Sequence, residues 1–166
     1  MDIDAQILIM KSQILVSFLF LAGMAWAQNT RGYLFVAPGG ISAAGTTERA
    51  YEIGGGVERL IDRGIGAGAE LEGVVPGVGR AANAVGLFSL NGYYHFLRDR
   101  RLDPFATSGY SLLFRDYTAN LFNYGAGVNY WFQDNLALQV GIRDHVGSNG
   151  GITTHYWGIR VGVAFR

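Results

Sequence analysis

Residues 123–145 read NYGAGVNYWFQDNLALQVGIRDH, and their side chains alternate in character. Tyr124, Ala126, Val128, Tyr130 and Phe132 share one parity, while Asn123, Gly125, Gly127 and Asn129 share the other. After Gln133, Asp134 and Asn135 the alternation resumes, with Leu136, Leu138, Val140 and Ile142 set against Ala137, Gln139, Gly141 and Arg143. A period of two is the repeat of a β-strand and Asp-Asn is turn chemistry, so the stretch predicts two antiparallel strands joined by a tight turn.

Working outward, the pattern recurs through the chain after residue 28. Eight strands are predicted, at about 31–37, 50–60, 65–74, 85–96, 104–115, 123–132, 136–143 and 154–165. In the first, Tyr33, Leu34, Phe35 and Val36 are all apolar and leave its faces undecided. Elsewhere one face is small or polar: Glu52 and Glu58, then Glu70 and Glu72, then Ser89, Asn91, Tyr93 and His95, then Thr107, Ser111 and Arg115. The opposite face carries Ile53, Leu71, Phe88, Leu90, Tyr110 and Ile159. Pro104 opens the fifth strand in this reading, because a first residue need not donate to the ladder. Connections alternate between short ones (61–64, 97–103, 133–135) and longer Gly-rich ones (38–49, 75–84, 144–153), with 115–119 an exception.

The 166 residues contain no Pro/Ser-rich linker and no cysteine, which indicates one domain without disulfides or thiolate metal ligation. Ile14 to Ala27 is an apolar run preceded by Lys11 and closed by Ala25-Trp26-Ala27, the pattern of a cleaved secretory signal. It is shorter than the roughly 20 residues of a membrane-spanning helix. Asp2 and Asp4 stand where a signal carries positive charge, and translation from Met10 would remove them. The expected division is therefore residues 1–27 as signal peptide and 28–166 as barrel domain. From residue 28 on, twelve Arg face eleven Asp and Glu without basic clusters, which argues against nucleic acid as a partner.

Most predicted strands approach the roughly 9–11 tilted residues that cross a bilayer. A soluble lipocalin-like carrier also alternates, but its outer face would then be the Gly, Ala, Ser and Asn set, without a lysine. Small residues suit instead the narrow lumen of an eight-stranded barrel. Tyr130, Trp131, Phe132, Phe96 and Phe165 would form an aromatic girdle at the periplasmic rim. The fold expected is an all-β, eight-stranded antiparallel up-and-down transmembrane barrel, monomeric and surrounded by membrane lipid.

The DPFATSGYSLLF strand start, the GVNYWFQDNLALQVGIRDH hairpin and the terminal GIRVGVAF strand resemble the small outer-membrane β-barrel proteins of the OmpA/OmpX-like superfamily. The resemblance is to the barrel domain alone. It implies export to the outer membrane of a Gram-negative cell and folding by the barrel-assembly machinery. That machinery commonly reads a terminal aromatic residue, whereas Phe165 is penultimate here and Arg166 last.

With the polar face inward, Glu52, Glu58, Glu70 and Glu72 confront Arg115, Arg143 and Arg160 across the lumen. Buried charges require partners, so these residues are expected to form a closed network with Asn91, Tyr93, His95, Asn123, Asn129 and Gln139. The primary functional expectation is a structural or surface-interaction barrel whose Gly-rich outer loops meet any ligand. A narrow channel, a lipid A-modifying enzyme and a secreted ligand carrier are the alternatives. The enzyme alternative rests on His145 and Ser148-Asn149, which loosely resemble the lipid A deacylase motif, although with shifted spacing and no following Glu. No catalytic, cofactor or metal residues are assigned, since His95, His145 and His155 come from separate segments and read as interfacial hydrogen-bonders.

Overall fold

Eight alternating strands form a sheet with one apolar face and one polar face, and such a sheet hides its edges by closing on itself. A computed structural model describes residues 29–77, 84–98, 100–115 and 118–166. The expected signal peptide lies outside the described residues. The strands are β1 (Thr30–Ala43), β2 (Thr46–Asp62), β3 (Ile65–Pro76), β4 (Val85–His95), β5 (Leu102–Phe114), β6 (Thr118–Gln133), β7 (Leu136–Asn149) and β8 (Ile152–Phe165). Each pairs antiparallel with its sequence neighbours, and β8 pairs with β1 to close the barrel.

Register fixes the geometry. Following paired residues from Gly66 of β3 through Tyr93, Thr107, Gly125, Arg143, Gly158, Gly39 and Ala50 returns to β3 at Pro76, ten residues further along. A stagger of that size on eight strands corresponds to a tilt of about 40°. At this tilt each residue advances about 2.5 Å along the axis, so an 11-residue strand such as β4 spans roughly a bilayer's hydrocarbon thickness.

The faces divide as the parity predicts. Val36, Ile53, Leu71, Phe88, Leu90, Ile142 and Ile159 stand exposed on the outside, whereas Glu52, Glu70, Asn91, Arg143 and Arg160 are buried inside. Large inward side chains lie across glycines of the neighbouring strand. A Cβ at Gly56, Gly54 or Gly127 would approach Tyr33, Phe35 or Phe105 to 2.5, 2.8 and 2.7 Å. Glycine therefore makes room for the neighbouring aromatic in a lumen that side chains fill. At the end opposite the termini, Ala50, Val74, Leu87, Leu113 and Leu121 form an apolar cap.

Three expectations are corrected. The segments 38–49 and 144–153 are mostly strand: β1 continues to Ala43 and β7 to Asn149, leaving two-residue turns at Ala44–Gly45 and Gly150–Gly151. All four turn residues have positive φ (49°, 80°, 56°, 80°), the conformation that matches the twist of hairpin strands. Their Gly, Ser and Thr residues pair across strands, as Gly39 does with Gly158 and Ser42 with His155. The fifth strand begins at Leu102, because Leu102 and Asp103 already pair with Tyr130 and Asn129. Trp131 does not join the girdle: it is buried inside, while Tyr130, Phe132 and Phe96 remain exposed.

Candidate functional site

The interior contains two layers of ionisable side chains. In the layer nearer the termini, Arg31 of β1 donates from Nη1 to Asp103 Oδ2 of β5 at 2.6 Å. His95 of β4 bridges two acids, with Nδ1 3.0 Å from Asp103 Oδ2 and Nε2 2.8 Å from Glu58 Oε1 of β2. The Arg31 guanidinium lies 5.3 Å from the centre of the Trp131 ring, and that of Arg166 lies 4.3 Å from it. Two acids thus meet two bases in this layer, beside an aromatic wall.

Above them, Tyr33 donates to Glu70 Oε2 at 2.7 Å and shares a hydroxyl–hydroxyl bond of 2.7 Å with Tyr93. Arg160 of β8 then joins two carboxylates of β3, Nη1 to Glu70 Oε1 at 2.8 Å and Nη2 to Glu72 Oε2 at 2.7 Å, with Glu52 Oε2 4.0 Å away. Its guanidinium stacks 4.1 Å over Phe35. Arg143 donates to Asn123 Oδ1 at 2.7 Å and lies 3.8 Å from Glu70. His145 Nε2 is 2.9 Å from Glu72 Oε1, and its Nδ1 is 2.9 Å from Ser111 Oγ. Asn123 donates to both Asn91 and Ser111. This layer matches three acids, Glu52, Glu70 and Glu72, with three bases, Arg143, Arg160 and His145.

Between the layers, Tyr33, Glu70, Tyr93, Phe105, Arg143 and Arg160 line a void of about 20 Å³. That holds about one water molecule. Among the described residues, interior side chains pack from the terminal end to the apolar cap, and this void is too small for a continuous water column.

Of the residues singled out from sequence, Glu52, Glu58, Glu70, Glu72, Asn91, His95, Asn129, Arg143 and Arg160 are buried in the interior. Gln139 is partly buried and donates to Asn129 Oδ1 at 2.9 Å. Arg115 lies elsewhere: β5 ends at Phe114, so Arg115 sits exposed at the outer rim, beyond the network. Sequence reasoning missed Arg31, Tyr33, Asp103 and His145 as members. It also misread His145 as interfacial, although that residue is fully buried. The missing signal was parity extended past assumed strand ends, since Asp103 continues the face of Phe105 and Thr107, and His145 that of Arg143. The deacylase alternative loses its geometry by the same observation. His145 points inward, while Ser148 is exposed three residues further on, on the opposite parity.

A closed eight-stranded sheet that is apolar outside and charged within is a transmembrane β-barrel. Comparison with solved structures places it beside Neisserial surface protein A (TM-score 0.69, 12% identity, covering 83% of this chain and 97% of that one). The N-terminal barrel domain of Pseudomonas aeruginosa OprF is also similar (TM-score 0.61, 20% identity, 83% and 97%). So is a designed transmembrane β-barrel (TM-score 0.54, 14% identity, 86% and 98%). The fold is thus that of small outer-membrane barrels, as the OmpA/OmpX-like resemblance implied. This fold by itself specifies no activity. No protein-family model matches the sequence, and no curated protein matches it.

Proposed function

We propose that this chain is an outer-membrane barrel, exported by a signal cleaved after Ala27, that acts as a closed structural or surface-interaction protein and not as a pore or an enzyme. The observation that carries this reading is the filled lumen, in which two charge-paired layers lie beneath the apolar cap of Val74, Leu87, Leu113 and Leu121. A pore requires a hydrated path, and the interior void accommodates about one water.

The outer end refines the surface role. Pairing between β1 and β2 continues to Ala43–Thr46, between β1 and β8 to Ala43–Thr154, and between β7 and β8 to Asn149–Ile152. A partner would meet this four-stranded Ser/Thr-rich wall, with barrel-assembly factors engaged only during folding. Two measurements test the reading. The membrane fraction is run on a detergent gel with and without boiling, and the purified protein is recorded in planar bilayers. Heat-modifiable migration with no steady conductance is the expected result. Steady conductance of the wild-type protein would refute the closed lumen, and migration unaffected by boiling would refute the membrane barrel.

A further inference from the structure

Two turns at the terminal end, distant in sequence, carry the positive charge of the barrel domain. The β2–β3 turn holds Arg59, Asp62 and Arg63, and the β4–β5 connection holds Arg98, Asp99, Arg100 and Arg101. Together they have three arginines in excess of acids, whereas the rest of the chain from residue 28 has two acids in excess. The fold sets these turns side by side. His95 N donates to Gly64 O at 2.8 Å, and a Cβ on Gly64 would come within 2.4 Å of the His95 carbonyl oxygen. Leu60 N donates to Asn29 O at 2.8 Å and Arg98 Nη2 to Asn29 Oδ1 at 3.3 Å, so both turns are tied to the start of β1. Trp131 N donates to Arg101 O at 2.8 Å and fixes the far side of the β4–β5 connection.

Arg59, Arg63, Arg100 and Arg101 are exposed. Arg59 has the outward parity of β2, between Val57 and Ile61, and so stands in the lipid-facing belt. Arg63 Nε lies 3.5 Å from Asp62 Oδ2, but with side chains 90% and 74% exposed water screens that pair. Large apolar side chains are interleaved with these arginines: Ile61, Ile65, Phe96, Leu97 and Leu102 are all exposed. Ile61, at 66%, is the most exposed large apolar side chain among the described residues. Water solvates the arginines but not their apolar neighbours. A membrane interface satisfies both, taking the apolar groups among acyl chains while the guanidinium groups extend to the headgroups.

We propose that the flank from β2 to β5 binds anionic glycerophospholipid in the leaflet at the terminal end, with the four exposed arginines on the phosphates and Ile61, Phe96 and Leu102 against the acyl chains. Charge selects the lipid. A zwitterionic headgroup offsets its phosphate with its own cation, whereas phosphatidylglycerol presents an uncompensated anion to the excess of arginines. The guanidinium fork also matches phosphate oxygens in pairs. At the same end, β6 to β8 carry Asp134 and Arg166, whose charges balance. The proposal rests on the outer-membrane reading, which places the termini and this rim in the periplasmic leaflet.

The test uses the full barrel refolded into phosphatidylcholine vesicles, with a fluorophore on a single cysteine at Leu102, beside the arginines, or at Leu138, on the opposite flank. Brominated phosphatidylglycerol or brominated phosphatidylcholine is added as the minority lipid at equal fraction. At position 102 the anionic lipid should associate about fivefold more strongly than the zwitterionic one, the effect of one basic residue near an anionic headgroup, and high salt should reduce the preference. At position 138 the two lipids should quench alike. Arg63→Gln, Arg100→Gln and Arg101→Gln combined should abolish the preference at 102, with heat-modifiable migration showing that the variant folds. Equal quenching by the two lipids at 102, the same preference at 138, or a preference that survives in the folded triple variant would overturn the site. Quenching by neither lipid at either position would count against the membrane reading instead.

Discussion

Asp144 and Glu70 are both carboxylates in the middle of a strand, but they sit on opposite faces of the wall and differ in almost every physical respect. Glu70 is buried among Tyr33, Arg143 and Arg160, with both oxygens accepting hydrogen bonds. Asp144 faces outward, with one oxygen bonded by Tyr124 and His155 and the other buried without a hydrogen-bond partner among the described residues. Strand parity therefore separates an acid held by two arginines inside the lumen from an acid held by a tyrosine and a histidine on the outer wall. Removing the first should damage the fold, and removing the second should not.

The largest expected effect is for Glu70→Leu, which leaves Arg160 and Arg143 in the lumen with an acid missing. Breaking a buried charge network on one side costs about 3–5 kcal/mol, readable as a lower urea midpoint for unfolding from lipid vesicles. Next is Leu113→Ala in the outer cap, where the cavity should cost about 3 kcal/mol by the same measurement. The variant should still be non-conducting, because the charge layers beneath the cap remain in place; steady current would assign closure to the cap alone. A double-mutant cycle on Arg31→Met and Asp103→Leu should show a coupling of about 2 kcal/mol, whereas additive effects would mean that the 2.6 Å pair contributes little. The smallest effect and the opposite sign belong to Asp144→Leu, which should raise stability by about 1 kcal/mol by removing an acid from the lipid face. A loss comparable to that of Glu70→Leu would make Asp144 structural and end the comparison.

The strand count and the assignment of faces were legible because a period of two is imposed by the backbone and survives any choice of side chain. Strand ends were less legible. Gly39, Gly40, Ser42 and Gly147 look like loop residues, yet in a tightly curved barrel small side chains are what the neighbouring strand accommodates, as the close approach of Gly39 to the Trp157 carbonyl shows. The same error concealed His145 and Asp103, each lying within a strand that seemed to have ended or not yet begun. Arg115 was the converse, a parity argument carried one residue beyond the last pair, Phe114 with Thr118. Arg31 and Tyr33 were obscured because four consecutive apolar residues in β1 have no alternation to read. The cation–π stacking of Arg31 on Trp131 and of Arg160 on Phe35 depends on cross-barrel distances that no local pattern encodes.

The orientation of the two faces underlies all of these expectations, and the chain's lack of cysteine makes it directly measurable. Single cysteines at outward Leu71, Val140 and Val161 and at inward Ser89 and Thr107, labelled with a small fluorophore in unfolded protein and refolded into vesicles, would report contact with brominated acyl chains. The structure predicts strong quenching at positions 71, 140 and 161 and little at 89 and 107. Quenching confined to 89 and 107, or absent at all five, would contradict a barrel with its apolar face in lipid and its charges around the axis.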